Sequence, residues 1–143
     1  MNLPIRFRRL DASVPIPEYK TVGAAGFDIA VNESATLAPR ERRLFGTGLV
    51  IAVPKEHVLL IAPRSSNAKK GILLGNGIGI IDEDYCGPTD ELKLALMNVG
   101  DTPYTIEKGE RIAQGLFIPV VKGVFEETLG SEGTSRGGFG TTG

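Results

Sequence analysis

Glycine and proline set the grain of this chain. Nineteen glycines and nine prolines cut its 143 residues into short apolar segments, and no segment keeps an apolar period of 3.6 residues for long. Such residues punctuate turns, whereas short runs of alternating apolar and polar side chains mark half-buried strands. The chain is therefore predicted to be all-β with one minor helical turn. A domain of this length hides about 68–70% of its extended surface, enough for a single core with no second domain.

The alternation places the strands. Ile5-Arg6-Phe7-Arg8 reads as an edge strand blunted by arginines. Pro15 and Pro17 then make a rigid connection. Over residues 21–31, Phe27, Ile29 and Val31 share one face of a strand, and Asp28 and Ala30 share the other. Residues 43–53 read as one long strand interrupted by Gly46 and Gly48, and residues 57–62 as another. Leu92, Leu94 and Leu96 alternate with Glu91, Lys93 and Ala95 in a strand ending at Asn98, and residues 111–118 form the last. The one histidine, His57, has no recognisable partner and is not taken as a base.

Charge and cysteine usage narrow the function. Sixteen basic residues against 17 acidic ones leave no field for stable nucleic-acid binding or an anionic membrane surface. A single cysteine, Cys86, excludes an internal disulfide and favours a reducing compartment. Apolar runs fall far short of the roughly 20 residues of a membrane span. Arg6, Arg8 and Arg9 are followed by no apolar segment, so the N-terminus is not read as a secretory signal and the expected location is cytoplasmic.

Three stretches carry chemistry. Gly75-Asn76-Gly77-Ile78-Gly79-Ile80-Ile81-Asp82-Glu83-Asp84-Tyr85-Cys86-Gly87 is hairpin-like, with glycines where a ligand or backbone could approach. In extended geometry Asp82 and Asp84 share a face and Glu83 points away. The stretch is either a solvated acidic turn or a pair of carboxylates beside a small molecule. Pro63-Arg64-Ser65-Ser66-Asn67-Ala68-Lys69-Lys70-Gly71 gathers helix signals: serine and asparagine as N-caps, Gly71 as the stop. A helix starting near Ser65 would aim free N–H groups ahead of it beside the Arg64 fork, which is phosphate-site chemistry, or it is a capped surface turn. Residues 130–143 are rich in glycine, serine and threonine and are expected to be mobile. Gly138 to Gly143 spells G-x-G-x-x-G, but a Rossmann site needs a strand before it and a helix after it, and neither is read here, so no Rossmann site is expected.

These stretches, taken together, resemble the trimeric deoxyuridine triphosphate nucleotidohydrolases (dUTPases). Five motifs occur in order: Ala24-Ala25-Gly26-Phe27-Asp28-Ile29; Pro63-Arg64-Ser65-Ser66; Gly79-Ile80-Ile81-Asp82-Glu83-Asp84-Tyr85-Cys86-Gly87; Gly109-Glu110-Arg111-Ile112-Ala113-Gln114; and Ser135-Arg136-Gly137-Gly138-Phe139-Gly140-Thr141-Thr142-Gly143. Departures are Ser66 and Asn67, where the family usually has glycine and an apolar residue, and Cys86, where it often has arginine or glutamine. Pro88-Thr89-Asp90 resembles a small insertion.

The resemblance implies a jelly-roll-like β fold over residues 1–129 and a glycine-rich flap over residues 130–143. It further implies a homotrimer with active sites shared between subunits. The implied reaction converts dUTP to dUMP and pyrophosphate with Mg²⁺, limiting uracil in DNA and supplying dUMP. Asp82 would be the catalytic base. Arg64, Ser65, Gln114 and Arg136 would bind phosphates, and Ser66 would be part of the substrate-binding set. Backbone groups from Asn76 to Gly79 would read uracil, Tyr85 would lie against the deoxyribose, Phe139 would stack on the base, and Ile81 and Gly140 would complete the substrate-binding set. Asp28 would reach the metal through water. A dCTP deaminase shares the fold and the Arg-Ser-Ser sequence, but it needs a carboxylate where this chain has Ala95. A nucleotide-gated protein-binding module is the third reading.

Overall fold

The computed structural model describes residues 3–130 and 133–140. Among them are eleven strands and one four-residue helix. The strands are β1 (Arg6–Arg9), β2 (Phe27–Ala30), β3 (Ala35–Leu37), β4 (Arg42–Gly46), β5 (Leu49–Ala52) and β6 (His57–Pro63). After α1 (Asn67–Lys70) come β7 (Ile72–Leu74), β8 (Gly79–Ile81), β9 (Lys93–Asn98), β10 (Tyr104–Ile106) and β11 (Arg111–Pro119). They make a jelly-roll-like fold of antiparallel pairs. The largest sheet runs β2-β11-β6-β8 and a second runs β4-β9-β7, with the pairs β1-β5 and β3-β10 completing the walls.

The inward side chains of these sheets form one contiguous core. Phe27 and Ile29 of β2, Leu59 and Ile61 of β6, and Ile112 and Ala113 of β11 meet Phe45, Leu94, Leu96, Ile72 and Leu74 of the second sheet. Alternation predicts this: burying one face of each strand leaves the intervening side chains on the outer face. Asp28 is one of those outer residues, as expected. Two buried polar residues, Thr47 and Asn98, are bonded where the chain leaves a strand. Thr47 Oγ1 donates to the Leu92 carbonyl at 2.7 Å, and Asn98 Nδ2 donates to the Leu37 and Thr102 carbonyls.

Two expectations need correction. Residues 43–53 are not one strand, because β4 and β5 belong to different sheets and the chain changes sheet at Thr47-Gly48. The stretch from Gly75 is also no hairpin. β7 pairs with β9 and β8 with β6, so residues 75–78 carry the chain from one sheet to the other. Among the described residues no helix is long and apolar enough to cross a membrane.

Candidate active site

The basic end of the large sheet is built by register. Gln114 of β11 lies opposite Asp28 of β2 on one side and Ala62 of β6 on the other, so Asp28 and Gln114 project from one face. A bulge then interrupts β11: Arg111 pairs with Ala30, yet Ala113 pairs with Ile29. The extra residue lets Ile112 and Ala113 both point into the core and turns Arg111 out beside Asp28.

The carboxylate of Asp28 is shared between two guanidiniums. Oδ1 accepts from Arg64 Nε at 2.9 Å, and Oδ2 accepts from Arg111 Nη1 at 2.9 Å. Arg64 Nη1 donates to the Arg111 carbonyl at 3.1 Å, and Gln114 Nε2 donates to the Pro63 carbonyl at 3.0 Å. Arg64 keeps further N–H donors for a ligand. Two cations, one anion, an amide and the neighbouring Ser65 make a group with a net positive charge and free hydrogen-bond donors. Sequence reasoning missed Arg111. Its signal was the pattern Arg111-Ile112-Ala113-Gln114, in which two adjacent apolar residues break the alternation of a strand.

The helix differs from expectation. It begins at Asn67, and Ser66 at the N-cap is αR with no side-chain cap. Asn67 does not cap either: it is 1% exposed, and its Nδ2 donates to the Ile112 carbonyl at 2.7 Å. Ser66 Oγ and Asn67 Oδ1 are buried without a partner among the described residues. Gly71 does end the helix, at φ 67°. A single turn offers little dipole, so the positive charge at this end of the sheet comes from Arg64 and Arg111. Lys70 anchors the far end of the turn on Glu110 at 2.6 Å, and Tyr104 donates to the same oxygen at 2.9 Å.

The acids lie elsewhere. β8 stops at Ile81, and residues 82–85 form a turn closed by Tyr85 N donating to the Asp82 carbonyl at 3.2 Å. The extended arrangement expected for Asp82, Glu83 and Asp84 is therefore absent, because the turn ends the alternation. Asp82 and Asp84 are exposed, whereas Glu83 is tied down, accepting from Lys122 Nζ at 3.0 Å and from the Glu56 amide at 3.1 Å. Those two bonds, Lys122 first, hold the Glu83 carboxyl below its ordinary range, and Glu83 in turn raises Lys122. Tyr85 is anchored by its hydroxyl donating to the Glu91 carbonyl at 3.0 Å.

β8 is the edge of its sheet, so the backbone of Gly79, Ile80 and Ile81 faces outward along one side. Gly77 has φ +74°, a conformation that favours glycine, and a Cβ on Gly79 would crowd Ile61 at 3.1 Å. The exposed Asn76 sits beside them, and the side chain of Ile81 packs against the core.

The two groups lie at opposite ends of one sheet. Ile81 pairs with Leu59, whereas Arg64 follows β6 at its other end. Six residues of strand, counting the step from Ile81 on to Asp82, put Asp82 roughly 20 Å from Arg64 at 3.3 Å per residue. Past Pro119 the described chain has no strand, and Val121, Val124, Phe125 and Leu129 are almost fully exposed. Arg136 is exposed, as are Phe139 (φ 50°) and Gly140 (φ 87°). The expectation for Thr141, Thr142 and Gly143 lies outside the described residues. No group of three or more His, Cys, Asp or Glu side chains is placed to hold a metal among the described residues.

A jelly roll with a basic, hydrogen-bonding cluster at one end of a sheet and free carboxylates at the other has the parts of an enzyme acting on phosphate esters. A family model described as dUTPase matches residues 12–143. The deoxyuridine 5'-triphosphate nucleotidohydrolase of Methylocella silvestris is 45% identical, over 99% of this chain and 92% of its own. That of Anaeromyxobacter sp. is 42% identical, over 100% and 99%. The solved dUTPase from Streptococcus mutans has a TM-score of 0.77 at 31% identity, covering 83% of this chain and 98% of that one. A Staphylococcus bacteriophage 80alpha dUTPase solved with dUPNHPP has a TM-score of 0.87 at 25% identity, over 99% of each chain. The chain belongs to the dUTPase family.

Proposed function

We propose that this chain hydrolyses dUTP to dUMP and pyrophosphate at a site that no single copy completes. Its family membership supports the reaction, and the observation that carries the shared site is the separation of Asp82 from Arg64. A base and a phosphate clamp roughly 20 Å apart along one sheet cannot act on one α-phosphorus. Cyclic packing of copies brings the carboxylate turn of one to the basic end of the next. The exposed apolar arm after Pro119 then carries Arg136, Phe139 and Gly140 toward a neighbour, and a homotrimer is the assembly we assign.

In this reading Asp82 takes a proton from a water as the water oxygen attacks the α-phosphorus. The bond from that phosphorus to the bridging oxygen breaks, and pyrophosphate leaves with the electron pair. Such a base contributes roughly 10²–10⁴ in rate. Arg64, Ser65, Gln114 and Arg136 hold the charge that moves onto the leaving group. Mg²⁺ would enter with the substrate and would offset part of the triphosphate charge. Among the described residues no group of acids would hold it, and both oxygens of Asp28 are engaged by arginines. Backbone groups of residues 76–81 pair with the uracil edge, and Tyr85 lies against the sugar and leaves no room for a 2′-hydroxyl. A pocket built on hydrogen bonds rejects a wrong base because its buried polar groups go unpaired.

The test is hydrolysis of each deoxynucleoside triphosphate in ¹⁸O-labelled water. The expected result is dUMP and pyrophosphate from dUTP alone, with the label in dUMP. Label in pyrophosphate would overturn attack at the α-phosphorus, and ammonia released from dCTP would overturn the substrate.

A further inference from the structure

The bulge in β11 does more than expose one side chain. It presents two consecutive carbonyls to the loop that follows β6. The Arg111 carbonyl accepts from Arg64 Nη1 at 3.1 Å, and the Ile112 carbonyl accepts from the Arg64 amide at 3.4 Å and from Asn67 Nδ2 at 2.7 Å. The same bulge turns the Arg111 guanidinium onto Asp28, whose second oxygen holds Arg64 Nε. Arg64 is thus fixed from two sides by one neighbour, once through its carbonyl and once through a bridging carboxylate. With 27% of its side chain exposed it is the less accessible arginine, and Arg111, at 46%, is the more open.

We propose that the β11 bulge, Arg111 and Asp28 are a positioning device that sets the Arg64 fork for the triphosphate; this rests on the dUTP diphosphatase reading above. Two guanidiniums on neighbouring strands repel, and an anion between them is what lets both stay. Asp28 supplies that anion before substrate arrives. Arg64 then meets the phosphates already oriented, with two of its N–H groups engaged and the rest free, so little side-chain entropy is lost on binding. Asn67 serves the same end. Where the family motif usually places an apolar residue, this chain buries an amide whose bond to Ile112 staples the loop to the bulge.

The sign of one substitution separates positioning from the alternatives. Asp28→Asn removes a negative charge beside a polyanion, so Coulomb's law alone makes triphosphate bind more tightly. A carboxylate that acted only through metal-bound water would matter with Mg²⁺ and not without it. Positioning requires weaker binding in both conditions. The probe is dUPNHPP, titrated calorimetrically against the full chain in EDTA and in Mg²⁺, with 2′-deoxyuridine as a ligand that has no phosphate.

We expect Asp28→Asn and Arg111→Gln each to weaken dUPNHPP about tenfold in EDTA, the order of one charge-assisted hydrogen bond. Deoxyuridine affinity should stay within about twofold, because it carries no phosphate for Arg64 to hold. Arg111→Lys keeps the positive charge and changes only the fit to Asp28, so Coulomb's law alone leaves dUPNHPP binding unchanged; a several-fold loss there carries the test if Asp28→Asn does not fold. Unchanged or tighter dUPNHPP binding in EDTA would overturn the inference. So would an equal loss for deoxyuridine, which marks a structural role only. Failure of the unaltered protein to bind dUPNHPP would instead overturn the functional reading on which it rests.

Discussion

Replacing Glu110 by glutamine tests how the loop that carries Arg64 is held. Glu110 Oε1 accepts from Lys70 Nζ at 2.6 Å and from the Tyr104 hydroxyl at 2.9 Å, and Oε2 accepts from the Glu107 amide at 3.2 Å. Burial is the largest single influence on this carboxyl and opposes its charge. The three donors together outweigh it, and its pKa falls below the ordinary 4.5. Glutamine keeps the shape and one oxygen but loses the charge that Lys70 faces. The pair is about a fifth to a quarter exposed, so the loss is set at about 1–2 kcal/mol, near the low end for charge-assisted bonds. In a domain of this size that lowers Tm by about 2–8 °C.

The pH dependence has a definite sign. A folded-state pKa below the unfolded value contributes stability that is present above the unfolded value and lost as pH falls through the folded one. The gap between the native chain and Glu110→Gln should therefore hold from pH 7 down to about 5 and close below 4.5. Tyr104 gives the opposite limb. Burial, then its bond to Glu110, raises its hydroxyl from 10.0 to about 12, so that contribution is complete below 10.0 and is lost as pH climbs toward 12. The assay is urea denaturation at one fixed protein concentration, since assembly couples to unfolding. A gap as large at pH 3 as at pH 7 would refute the electrostatic account, and no gap at pH 7 would show that Lys70 gains nothing from Glu110.

Two further outcomes follow from the site. Asp82→Asn should cut kcat by roughly 10²–10⁴ while dUPNHPP still binds, because the side chain is exposed and supports no packing; single-turnover kinetics beside calorimetry checks it, and unaltered kcat would remove Asp82 as the base. Deleting residues 133–143 should cripple turnover and leave Tm unchanged, since Phe139 is fully exposed and touches none of the core; normal turnover by the shortened chain would eliminate the flap.

Local pattern carried the strands. Phe27, Ile29 and Val31 fall inside and Asp28 outside because alternation is a property of neighbouring residues. What sequence could not supply was pairing. That residues 43–53 divide between two sheets depends on Gly48 taking φ +69° and packing against Val14, a residue distant in the chain. The acids after Ile81 looked extended because Asp82, Glu83 and Asp84 continue the spacing of β8, yet the Tyr85 amide closes a turn on Asp82. Ser66 and Asn67 have the chemistry of caps, but Asn67 finds a better acceptor in Ile112, 45 residues away. The candidate residues were named from motifs. Their grouping, with Arg64, Asp28 and Gln114 at one end of a sheet and Asp82 at the other, belongs to strand register.

The central claim is that base and phosphate clamp come from different copies, and mixing two inactive proteins tests it most directly. Asp82→Asn and Arg64→Ala are each expected to be inactive alone. Unfolded together in equal amounts and refolded, they should regain about a quarter of native activity, because one site in four then pairs an intact Asp82 with an intact Arg64 from a neighbour. If the mixture stays as inactive as its parents while forming mixed oligomers, each chain holds its own complete site and the account is wrong.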